Sequence, residues 1–172
     1  MTSAPPLHVC IVVGRSSHPQ AVIEDLWKRA VEAMGQLGAD LTGTAVYESD
    51  GGPVVSVLDQ RLSVVALAES PSGRVDSLMS AAAGQPGPVG IAGRLLRDNL
   101  ESRRLARALA GRADLQEKFR RSSVVVAADL TADRSVWQLR NHTAAELVHG
   151  PAAMLHALRQ SARKQLAVPS AG

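Results

Sequence analysis

The residues best placed to do chemistry lie in one turn, Gly14-Arg15-Ser16-Ser17-His18. It follows the apolar run Leu7-His8-Val9-Cys10-Ile11-Val12-Val13 and precedes an amphipathic stretch that begins at Pro19. A buried strand that passes through small polar residues into a helix makes an anion pocket. The first backbone N–H groups of a helix have no intrahelical partner, and its dipole adds positive potential there. Two hydroxyls and a guanidinium in the same turn could add short, charge-assisted hydrogen bonds to a phosphate. The plainer reading of these residues is a helix start with Ser17 as N-cap and Pro19 in the first turn. Neither of the sharper phosphate motifs is present, since a Gly-Lys-Ser/Thr ending and a Gly-x-Gly-x-x-Gly run are both absent.

Other reactive side chains form weaker patterns. Ser16, Ser17, Ser70 and Ser72 have His18 nearby in sequence, but no Gly-x-Ser-x-Gly elbow marks a nucleophile. His142, His149 and His156 recur at intervals of seven. That spacing is about 10 Å of helical rise, too far for one ion, so no metal site is expected. Asp129 and Asp133 follow the last apolar run, where a carboxylate serves a ribose hydroxyl, a metal-bound phosphate or the cap of the next turn. Cys10 falls inside a strand pattern and reads as a small buried hydrophobe, and His8 as a satisfied strand histidine.

These residues need a scaffold, and the chain is long enough to supply one. Its 172 residues suit a single domain over 7–166, between a flexible 1–6 and a flexible tail 167–172. With only four aromatics (Trp27, Tyr47, Phe119, Trp137), Val, Leu and Ala must fill the core. No apolar run reaches the roughly 20 residues of a spanning helix, and the start lacks a basic flank, so a cytoplasmic protein without a membrane segment is expected. Apolar residues from Val22 to Leu37 at helical spacing, stopped by Gly38, predict the first helix. Leu41 to Glu48 and Val54 to Leu58, separated by Ser49-Asp50-Gly51-Gly52-Pro53, read as a hairpin. Leu62 to Ala68 and Ser123 to Ala128 read as buried strands, Pro88 to Ala92 as a short strand, and Gly93 to Gly111 as a long helix. A loop or short helix is expected over Leu130 to Asn141. Thr143 with Glu146 suggests a capping box for a final helical region, interrupted at Gly150-Pro151.

Strands alternating with helices predict an α/β domain with a mostly parallel sheet covered on both faces, a flavodoxin-like three-layer sandwich. In such sheets ligands sit outside the carboxyl ends of the strands. That rule gathers Gly14 to His18, the turn Glu69-Ser70-Pro71-Ser72-Gly73, Gly93 with its neighbours, and Asp129 on one edge.

Two surface features remain. From Arg94 to Arg121, nine basic residues face four acidic ones in a chain of net charge +3 and pI near 9.6. The stripe reads as a solvated helix face, or as a surface for nucleic acid or an acidic partner. Trp137, between Arg134 and Arg140, reads as a packing anchor or as part of a subunit interface.

Gly14-Arg15-Ser16-Ser17 after an apolar first strand resembles the phosphate loop of the NADPH-dependent FMN reductases. The run Pro88-Val89-Gly90-Ile91-Ala92-Gly93 before a long helix is similar to their fourth strand and its successor. The likeness is one of layout over about residues 7 to 130. Their Pro-Glu-Tyr-Asn type of turn is replaced here by Glu69 to Gly73, with no aromatic. The resemblance implies that Arg15, Ser16 and Ser17 contact the phosphate of FMN and that Ser70, Pro71, Ser72 and Gly73 border its ring. It further implies NADPH as co-substrate and a homodimer with flavin at its edge. The expectation is therefore a domain that binds a phosphate-bearing cofactor, most concretely an FMN-dependent NAD(P)H oxidoreductase. The rivals are a non-catalytic α/β regulatory or interaction protein and a basic-helix binder of nucleic acid or an acidic partner.

Overall fold

The computed structural model describes residues 5–49, 54–56, 59–68, 81 and 83–167. The apolar run Leu7–Val13 forms β1, all but His8 of it fully buried, as befits a strand with a neighbour on each side and helices on both faces. Among the described residues it is the centre of a five-stranded, all-parallel sheet in the order β3-β2-β1-β4-β5. The other strands are β2 (Leu41–Ser49), β3 (Leu62–Ala68), β4 (Val124–Ala127) and β5 (Glu146–His149). The helices whose bounds lie among the described residues are, in chain order, α1 (Pro19–Gly35), α2 (Pro88–Ala110), α3 (Ala113–Arg121), α4 (Leu130–Gln138) and α5 (Gly150–Ala167).

Alternation along β1 divides the core. Val9, Ile11 and Val13 pack with Ile23, Leu26, Trp27 and Met34 of α1 and with Met154 and Leu158 of α5. Cys10 and Val12 face the other way, onto Leu105 and Leu109 of α2, Leu115 and Phe119 of α3, and Val136 of α4. Burial pushes the Cys10 thiol up to about 11, against the opposing hydrogen bond from Ser122 and the charge of Lys118, so it stays protonated. Gly43 in β2 lets the Trp27 indole approach the strand, since a Cβ there would lie 2.6 Å from its Cζ3. The Trp27 Nε1–H then donates to Asp59 at 2.9 Å.

This is the expected α/β three-layer sandwich. Its strand order reverses between β1 and β4, whereas flavodoxin itself runs 2-1-3-4-5. In either winding the reversal is where ligands sit.

Three local expectations are corrected, and one alternative is decided. Val54–Ser56 form no strand: β2 is already hydrogen-bonded to β1 on one edge and β3 on the other, which leaves no edge for a hairpin arm. Residues 50–53, 57 and 58 of that hairpin lie outside the described residues. Pro88 to Ala92 is not a strand but the opening of α2, started by Gly87 at φ +82° with Pro88 in the first turn. Of the loop or short helix expected over Leu130 to Asn141, the structure has the short helix, Leu130–Gln138, followed by a 3-10 turn at Leu139–Asn141. Thr143 and Glu146 form no capping box, because Glu146 opens β5. The Thr143 hydroxyl donates to Phe119 O at 2.6 Å and accepts from Ala145 N at 3.0 Å, and the final helix starts only at Gly150.

Candidate functional site

The reversal between β1 and β4 brings the turn Gly14 to His18 against the start of α4. Asp129 is the N-cap of α4 and accepts from Ala132 N at 2.9 Å. Its second oxygen accepts from Gly14 N at 2.7 Å. One carboxylate thus ties the ends of the two central strands together. The approach is so close that a Cβ on Gly14 would lie 2.7 Å from the Asp129 Oδ1 and 3.0 Å from Ala132 N. Glycine at 14 is accounted for by this contact alone. Asp129 therefore does what a cap does, and its oxygens are occupied within the fold.

The rest of the turn is freer. His18, not Ser17, is the N-cap of α1. No side chain caps that helix, and no acidic residue stands in its first turn. The Ser17 hydroxyl instead meets the His18 Nδ1 at 2.8 Å, and Ser16 Oγ accepts from His18 N at 3.2 Å. Ser17 and His18 are exposed and Ser16 half-buried. Arg15, with 68% of its side chain exposed, pairs with Glu101 of α2. The Arg97 Nε stands 3.8 Å from the same carboxylate oxygen and has no hydrogen-bond partner although it is buried. Two guanidiniums sharing one carboxylate leave net positive charge beside the uncapped N-terminus of α1. Such a group can take a phosphate through Arg15, the two hydroxyls and the first amides of α1.

Glu101 and Arg97 are the members of this cluster that the Gly14 turn does not announce. Arg15 and Glu101 are 86 residues apart, and only the packing of α2 across the sheet joins them. Gly93 is not in an edge turn, because it is buried within the first third of α2. Ser70, Pro71, Ser72 and Gly73 lie outside the described residues.

The remaining candidates scatter. His142 follows the 3-10 turn, His149 ends β5 at 3.5 Å from Asp133, and His156 on α5 hydrogen-bonds Gln160 at 2.9 Å. No group of three or more His, Cys, Asp or Glu able to hold a metal occurs among the described residues. His8 meets the hydroxyls of Thr42 and Thr44 at 2.9 and 3.2 Å. Burial first, and Lys118 second, hold its pKa below the ordinary value. The basic stripe is broken up by ion pairs of Arg112 with Asp114, of Arg120 and Arg121 with Glu117, and of Arg97 with Glu101. The Arg112 pairing draws the Asp114 carboxyl down to about 2. Trp137 is 62% exposed, so it anchors no core. No described helix is long and apolar enough to cross a membrane. No family model matches the chain, and no curated protein sequence matches it.

Proposed function

We propose that the chain binds a phosphate-bearing small molecule at the carboxyl edge of its sheet, in the cytoplasm, with the phosphate at the N-terminus of α1. The observation that carries this reading is an excess of donors: α1 starts with neither a side-chain cap nor an acidic residue, beside two guanidiniums that share a single carboxylate. FMN, passing hydride from NAD(P)H to an acceptor, is the concrete form, and the family resemblance of the Gly14 turn supplies it. Arg15, Ser16 and Ser17 would hold the phosphate. A bound flavin supplies the redox step, and the chain supplies placement and electrostatics. The switch between β1 and β4 is also where sheets of this strand order take a dinucleotide, which makes NADPH the second ligand to test.

A non-catalytic α/β interaction protein is the second reading. It is favoured by Asp129, whose carboxylate takes up the Gly14 amide that a ligand phosphate would otherwise use.

The test is a visible spectrum of the purified chain, followed by titration with FMN and with NADPH. Binding at micromolar concentration that Arg15→Ala weakens about tenfold or more, the scale of one lost charge-assisted hydrogen bond, supports the proposal. No flavin absorption and no binding of either nucleotide at micromolar concentration sinks it.

A further inference from the structure

β5 is an edge strand: it pairs with β4 and, among the described residues, with no other strand. Glu146 N donates to Ser123 O on the β4 side, so by the alternation of a strand Leu147 and His149 point their amides and carbonyls outward. The strand carries no Pro and no Lys, but its four-residue length and Glu146 are themselves devices that discourage pairing, so the edge alone would not hold a partner.

Beside this edge stands one flank of α4. The 3.5 Å contact between Asp133 and His149 fixes which flank it is. Trp137 lies one turn further along the same flank, and Arg140 follows it in the 3-10 turn beyond the helix. A helical turn advances 5.4 Å and two strand residues about 6.6 Å, so the step from Asp133 to Trp137 is comparable in length to that from His149 to Leu147. Trp137 is 62% exposed, and the Arg140 guanidinium lies 5.3 Å from its ring centroid. Leu130, at the head of the same helix, is 79% exposed. The flank thus reads acid, indole, base from one end to the other.

Reversed end for end, that order is complementary to itself, and self-complementarity under reversal is what a two-fold contact between identical chains requires. We infer that the β5 edge, the Asp133–Trp137 flank of α4 and Arg140 of the following 3-10 turn are where a second copy of this chain docks. Strand pairing is antiparallel, with Leu147 opposite the partner's Leu147 as a hydrogen-bonded pair, because the outward amide and carbonyl of Leu147 can then be exchanged with those of its copy. The reversal sets Asp133 against the partner's Arg140, twice per dimer, and brings the two Trp137 rings to the centre. An exposed tryptophan with an arginine stacked on it suits the centre of such a contact. The four-residue strand is too short to carry the interface by itself, so the helix flank is integral to it. The inference is independent of the proposed ligand.

Sedimentation equilibrium of the full chain tests it. The wild type should sediment at twice the 18.1 kDa of the chain. Trp137→Ala should weaken the dimer about thirtyfold or more, the scale of an interface hot spot. Asp133→Arg and Arg140→Asp should each weaken it about tenfold, by setting like charges against one another at two places. The double variant, and an equimolar mixture of the two single variants, should recover it. All three substituted positions, Asp133, Trp137 and Arg140, are exposed, and far-UV circular dichroism checks that each variant folds. Wild type sedimenting at the mass of one chain overturns the inference, as does a dimer that none of the substitutions weakens.

Discussion

Asp129→Ala tests the reasoning about the centre of the sheet most directly. Two separate amides depend on this carboxylate. As N-cap of α4 it holds Ala132 N, and loss of such a cap costs about 1 kcal/mol, within a range of roughly 0.5–2. It also holds Gly14 N at the end of β1, and leaving a buried donor unpaired costs about 1–3 kcal/mol. Together they come to about 3 kcal/mol, or roughly 6–12 °C in Tm at about 2–4 °C per kcal/mol for a chain of this length. Asp129→Asn keeps the volume and one accepting oxygen but turns an NH2 toward one of the two amides, so it should lose about half as much. Urea unfolding followed by circular dichroism reads both variants. The ligand reading gives the opposite sign: with the negative charge gone and Gly14 N released, Asp129→Asn should bind inorganic phosphate more tightly than wild type, by isothermal titration. A loss for Asp129→Ala below about 0.5 kcal/mol, the ordinary range of surface substitutions, would show that the carboxylate does not join the two strands.

The same contact predicts that Gly14→Ala loses about 2–3 kcal/mol, since its Cβ meets the backbone and first turn of α4, which cannot move aside cheaply; thermal unfolding checks it. His8 titrates in a separate window. Its pKa lies below the ordinary 6.5, so the unfolded chain accepts a proton that the folded chain resists. Stability is therefore intact above that value and falls as pH drops through it, and His8→Gln should flatten unfolding free energy between about pH 7.5 and 5.5. An undiminished slope in His8→Gln would assign the pH dependence elsewhere. Trp27→Phe keeps the ring against Gly43 but removes the donor to Asp59, and should cost about 1 kcal/mol in urea unfolding because Arg61 still pairs that carboxylate.

β1, α1 and β4 were legible in the sequence because their own residues carry the signal. An unbroken apolar run marks a strand buried on both faces, and Val22 to Leu37 repeats at helical spacing. Pro88 to Ala92 misleads because Val and Ile between glycines look like a buried strand, yet Ile91 is 54% exposed and the segment opens a 23-residue helix. β5 was hidden for the opposite reason. Its four residues have no strand signal strong enough to outweigh a capping pattern, and pairing with β4 decides their conformation. The site divides in the same way. Arg15, Ser16, Ser17 and His18 could be picked out because they are contiguous, while the partners that set their charge and geometry, Glu101 and Asp129, lie on helices far along the chain.

The placement of β1 also bears on how the chain is made. The first strand to be synthesised is the middle of the finished sheet, and one of its two edges waits for β4. Gly14 emerges 115 residues before the Asp129 that clasps it, roughly 6–23 s at synthesis rates of about 5–20 residues per second. Through that interval β1, β2 and β3 can align while one edge of β1 leaves its backbone N–H and C=O groups unpaired beside largely apolar side chains. The nascent chain is most vulnerable to sticking to its neighbours then, and it is also when a ribosome-bound chaperone would have most to shield.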